Sequence, residues 1–123
     1  MKPRRLTDTE SASLVNALRN ASPKGQVEIV CVLGDGDGFA FASQIDTILK
    51  AAGWPTTGVS QAAFGPGGNP IGFGIMVRAA ATAPPYAVAL QSAFTAAGLR
   101  IAGAEAAGLA EGTVRLVIGN KPQ

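Results

Sequence analysis

A strand-like run, a helix-like run and an Ala-Ala-Gly stop occur twice in this chain, and the second set follows the first at a nearly constant offset. The first copy reads Val27-Glu28-Ile29-Val30-Cys31-Val32, a helical stretch from Phe39 to Lys50, then Ala51-Ala52-Gly53-Trp54 and an extended run to Ala62. The second reads Phe73 to Arg78, Tyr86 to Thr95, Ala96-Ala97-Gly98-Leu99, and on to Ala107. The two Ala-Ala-Gly triplets lie 45 positions apart. A lone βαβ unit cannot bury its apolar faces, so a duplicated one is expected to share a single sheet. The expected fold is therefore α/β, as an α+β sandwich. A mixed sheet of four or five strands comes from pseudo-repeats 27–64 and 72–109 and a closing strand at 113–119. Two helices pack on it, and an N-terminal helix is added. Residues 1–24 are expected to form an arm and a peripheral helix, and residues 25–123 the single α/β domain.

The local signals place these elements. Thr7-Asp8-Thr9-Glu10 has the capping-box pattern, so a helix is predicted from there to about Ala21, with Leu14, Val15 and Leu18 as a narrow apolar stripe. Val27 to Leu33 is nearly all apolar and β-branched, as in a strand covered on both faces, and is expected at the centre of the sheet. Phe41, Ile45, Ile48, Leu49 and Ala52 share one face of the next helix, and Gly53 supplies its left-handed stop. Trp54, just past that stop, is expected to close the helix end inside the core. Thr56 to Phe64 and Ile71 to Arg78 read as strands joined by a short turn-rich link, which predicts a hairpin. Pro84-Pro85 pre-set the last helix, with Leu90, Phe94 and Ala97 inward, before a short strand near Ile101 and a firm one at Thr113 to Ile118.

Composition removes most catalytic chemistry. Histidine is absent and Cys31 is the only cysteine. That eliminates Ser-His-Asp and Cys-His catalysis, an internal disulfide and a cysteine-built metal site, so no cofactor or metal is expected. The formal net charge is +2, and Lys2, Arg4 and Arg5 cluster at the N-terminus. Arg78, Arg100 and Arg115 fall in three separate elements rather than on a basic stripe, which argues against nucleic acid. No apolar run reaches the length of a membrane span and no signal-peptide core is evident. The chain is expected to be soluble, cytoplasmic by default or the soluble part of a membrane-anchored protein.

One loop has the right place for a ligand. Gly34-Asp35-Gly36-Asp37-Gly38 lies between a buried strand and a helix N-terminus, where amides and the helix dipole hold anions. Its two aspartates have a competing use as helix caps. If the first βαβ is the usual right-handed unit, the link Gly65 to Pro70 projects from the same sheet end, and if the closing strand runs parallel to the first, Gly119-Asn120-Lys121 joins them. Glu28, Arg78 and Arg115 interrupt or end strands and either pair on one face or mark an exposed side. An enzymatic reading would need Asp35, Asp37 or Glu28 as acid or base in a shared pocket.

The run Val27 to Gly34, then Gly38, Ala42, Ile45, Leu49, Ala52-Gly53-Trp54, Val59 and Ala62, with the tail Gly112-Thr113-Val114-Arg115-Leu116-Val117-Ile118-Gly119, resembles the C-terminal domain of LytR-type cell-envelope regulators. It is also similar to an uncharacterised bacterial soluble domain that follows membrane helices. The resemblance implies an accessory, non-catalytic module and transfers no site residues. The expected role is binding or assembly within a larger bacterial, membrane-associated protein, through a protein partner or a second copy. The alternative is a sensor of a small nucleotide or carboxylate at Gly34 to Gly38.

Overall fold

The computed structural model describes residues 5–64 and 70–120, which form one five-stranded sheet with three helices. In chain order the elements are α1 (Asp8–Asn20), β1 (Val27–Val32), α2 (Gly36–Ala51), β2 (Thr56–Ala62), β3 (Phe73–Val77), a single 3-10 turn (Ala80–Thr82), α3 (Pro85–Ala96), β4 (Ala102–Glu105) and β5 (Arg115–Ile118). The strand order is β2-β1-β5-β3-β4. β1 is parallel to β2 and to β5, whereas β3 is parallel to β4 and antiparallel to β5.

This order arranges the two βαβ units around β5 by a half-turn about the sheet normal. A right-handed crossover puts a helix on a fixed side of the strands it joins, and a half-turn about the normal preserves that side. Both α2 and α3 therefore cover one face, and α1 touches both of them. Beneath them lie Val27, Ile29, Cys31, Ile75, Leu116 and Ile118, all buried. Their pairings, Ile29 with Leu116, Cys31 with Ile118 and Ile75 with Leu116, put them on a common side. The opposite side carries Glu28, Val30, Arg115, Val117 and Met76.

The repeated stops are the same structure twice. Gly53 has φ +89 and Gly98 φ +87. In each case the amide after the glycine reaches back to the third helical carbonyl, Trp54 to Leu49 at 2.9 Å and Leu99 to Phe94 at 3.0 Å. Gly53 and Gly98 bond Lys50 and Thr95 in turn, completing two Schellman motifs. The capping box is present at α1, with Thr7 and Glu10 exchanging both bonds.

Several expectations need correction. The helix α1 is not peripheral: Leu14 and Leu18 are both 0% exposed, because α1 packs against both repeat helices. Trp54 is buried as expected, and its indole N–H donates to the Leu18 carbonyl at 2.9 Å, satisfying an end carbonyl of α1. β5, not β1, is the central strand, and Glu28 and Val30 of β1 are only partly buried, so that strand is not fully covered on both faces. β2 and β3 form no hairpin, since β1 and β5 lie between them. Hairpin signals are local, whereas the partner that β3 takes arrives about forty residues later in the chain. The strand predicted from Ile71 starts at Phe73 because Gly72 is left-handed at φ +84. The helix α2 begins earlier than Phe39 because Asp35 caps it.

Phe73, from the second unit, joins the halves within the core. Its ring meets Phe41 of α2 edge-on at 5.9 Å and Phe94 of α3 at 5.1 Å, pairs worth about 0.5–1.5 kcal/mol each beyond burial.

Because Gly53 and Gly98 both sit in the left-handed region, Gly53→Ala and Gly98→Ala should each lower the unfolding free energy by about 1–2 kcal/mol. Urea titration followed by Trp54 fluorescence measures this, and equal losses at the two sites would mark them as equivalent caps.

Candidate functional site

The glycine loop forms at the end of the sheet where β1, β2 and β5 finish and β3 begins. Leu33 N–H bonds Ala62 at 2.9 Å, and Gly119 N–H bonds Gly72 at 2.7 Å, so the parallel β5 does bring Asn120 to the end that holds Gly34. Asp35 is the N-cap of α2, and its carboxylate accepts from the Gly38 amide at 3.1 Å. Gly36, Asp37 and Gly38 form the first turn of that helix, so they belong to regular structure rather than an open loop. Gly34 makes the turn before the cap at φ +85. Lys121, Gly65 to Asn69, Lys2 and Arg4 lie outside the described residues.

Glu28 sits at the other end of β1. Its Oε1 accepts from Arg115 Nε and Nη2, both at 2.9 Å. An extended strand rises about 3.3 Å per residue, so Glu28 and Asp35 stand roughly 20 Å apart and share no pocket. Cys31 is buried, and desolvation, with Asp35 adding, pushes its thiol pKa up, which makes it unreactive. Among the described residues no three metal-ligating side chains converge, and no helix is long and apolar enough to cross a membrane.

A different feature stands out at the far edge of the sheet. β4, Ala102-Gly103-Ala104-Glu105, is exposed along its whole length, and among the described residues no strand pairs with its outer side. Ala106 N–H bonds the Val77 carbonyl at 2.8 Å. Backbone groups alternate sides along a strand, so those of Gly103 and Glu105 are directed outward. Above this edge, between β3, β4 and α3, lies a cavity of about 390 Å³. Its walls include Ile75, Val77, Ala87, Val88 and Gly103, with Gln91 at the α3 side. The small residues make the space, and a Cβ at Gly103 would meet Gln91 Nε2 at 3.5 Å, an ordinary contact. The single carboxylate beside it, Glu105, accepts from the Ala80 amide at 2.6 Å and holds the 3-10 turn against the groove.

The two edges of the sheet are not alike. β2 sets Thr56 against Val27 but Val59 against Ile29, so it carries one extra residue there, and Gly58 has φ +88. That is a β-bulge, a common way to spoil an edge for pairing. β4 has no bulge, proline or lysine.

Little in the sequence signals this groove. The strand near Ile101 was visible, but nothing local marks it as an edge. The available signal was the lack of charge: between Arg78 and Glu105 only Arg100 is ionisable apart from the Tyr86 phenol.

Tyr86 anchors the start of α3. Its hydroxyl lies 2.9 Å from the Gln26 carbonyl and 3.1 Å from that of Gly112, donating its one proton to either. Its ring covers Gly25, where no Cβ would fit.

Compared with known proteins, the chain matches no family model, no curated protein and no solved structure.

Two outcomes follow from these contacts. Asp35→Ala should cost about 1 kcal/mol through loss of the helix cap, read by thermal melting, and any nucleotide-dependent shift in the same assay would favour the sensor reading. Burial, then the charge of Glu28, raise the Tyr86 pKa above its usual value of about 10. The fold therefore favours the neutral phenol. That contribution is complete below the usual value and disappears as pH rises through the raised one. Stability should fall above about pH 10, and Tyr86→Phe should flatten that fall in alkaline denaturation curves.

Proposed function

We propose that this domain is a non-catalytic assembly module that accepts a partner's extended strand along β4. The observation that carries the reading is the contrast between the two sheet edges: β2 is interrupted by a bulge, and β4 is regular, exposed and roofed by an apolar groove. Strand addition draws its affinity from main-chain bonds and its selectivity from alternate side chains entering a pocket. Here Gly103 and Glu105 would supply the backbone groups. The cavity beside Val88 would take one medium-sized apolar side chain from the partner strand. The resemblance to the accessory domain of envelope regulators supports the same class of function, and with it a place in a larger bacterial, membrane-associated protein.

The small-ligand alternative has less support. Asp35 is engaged as a cap, and two aspartates at the start of α2 oppose an incoming anion.

Selection of random extended peptides against the intact chain tests the reading. Binders should shift the amide resonances of Gly103 and Glu105, protect them from hydrogen exchange, and weaken at least tenfold against Gly103→Pro. Proline at an edge removes only the outward donor and is compatible with the strand. Peptides that bind without perturbing β4, or that ignore Gly103→Pro, would count against strand addition.

A further inference from the structure

We infer that the strand accepted along β4 is the β4 of a second copy, paired antiparallel across a two-fold axis normal to the sheet. This inference rests on the strand-addition reading and names its partner. Three observations lead to it.

The first is spacing. α3 lies over the strands it connects, as the approach of Gln91 to Gly103 and the shared cavity walls show. Neighbouring strands are about 4.8 Å apart. Pairing β4 with its symmetry mate would therefore set the two α3 helices two strand spacings, about 9.6 Å, from each other. That falls within the roughly 8–10 Å at which helices pack. An isolated strand added to β4 would leave the outer wall of the groove in water, whereas a second copy brings its own helix to close it.

The second is chemistry. α3 contains no charged residue, although α1 and α2 each carry both signs. Val88, at 65% exposed, Gln91 and Thr95 fall at helical spacing on α3, and the first two line the groove. Depletion of charge is the compositional mark of an interface core. Each copy thus offers an apolar groove and an exposed Val88 to fill its mate's, the self-complementarity that a two-fold contact demands.

The third is the strand itself. With Gly103 opposite Gly103 of the mate, the outward backbone groups of both strands come into register, Ala102 faces Ala104, and no like charges meet. The half-turn that would generate the pair is the same operation that relates the two βαβ units within one chain, and there too it keeps every helix on one face.

Sedimentation velocity on the intact chain, across a wide concentration range, tests this. The expected species is a dimer of about twice 12.4 kDa. Val88→Lys and Gly103→Pro should each weaken dimerisation at least tenfold, while Thr57→Lys on the bulged edge should leave it unchanged; circular dichroism confirms that each variant is folded. A strict monomer at the highest concentration would overturn the second-copy inference, and so would a dimer that survives both β4-side variants. If the chain is monomeric and selected peptides still depend on Gly103, strand addition stands with a different partner. If neither self-association nor peptide binding depends on β4, both readings fall.

Discussion

Among the described residues the two βαβ units are joined in the sheet through β5, because β1 and β3 each pair with it and not with one another. Its four residues meet opposite demands on their two sides, a slanted parallel ladder with β1 and an antiparallel one with β3. Leu116 and Ile118 extend the core under the helices, while Arg115 is held on the other face by Glu28. That pair is part-exposed on both sides, so it contributes little energy and serves to fix which way the strand faces. The closing strand comes from the far end of the sequence, and pairing across such separations is entropically slow. The sheet is continuous only with β5 in place between the two units.

Helix ends decide how tightly those halves meet. The two Schellman stops turn the chain sharply enough for the next strand to begin within a few residues. In the first unit the residue after the stop is Trp54, whose indole closes the helix end and ties off α1 through Leu18. In the second it is Leu99, which has no such donor. This asymmetry explains why α1, a helix outside the repeat, is bound so firmly: it packs against both α2 and α3, and its final turn is bonded by Trp54 and by Lys24, whose ammonium donates to the carbonyls of Arg19 and Ala21. The helix becomes part of the core because Leu14 and Leu18 are buried in those contacts.

The half-turn symmetry also leaves two outer edges, and the chain treats them differently. At β2 an extra residue and a left-handed glycine disturb the ladder. At β4 the backbone is regular, the side chains are small and the adjoining helix is free of charge. Edge strands are ordinarily protected against pairing, and among the described residues this edge lacks such protection and lies beside an apolar groove. Three of the carboxylates at the sheet have structural uses: Asp35 caps α2, Glu28 pairs Arg115 and Glu105 holds the 3-10 turn.

What the sequence determined by itself is local. The capping box at Thr7, the Ala-Ala-Gly stops, the apolar faces of α2 and α3, the burial of Trp54 and the mixed α/β class all follow from residues a few positions apart, because caps, turns and helical faces are set by short-range sterics and hydrogen bonds. The tertiary structure decided the rest. It put β5 rather than β1 at the centre, separated β2 from β3, drew α1 into the core and turned Glu28 toward Arg115. It also made Ala102 to Glu105 an edge, which no neighbour in sequence marks. Strand order and edge status depend on which distant segments bury each other's apolar surface, and that competition is settled only when the whole sheet has assembled.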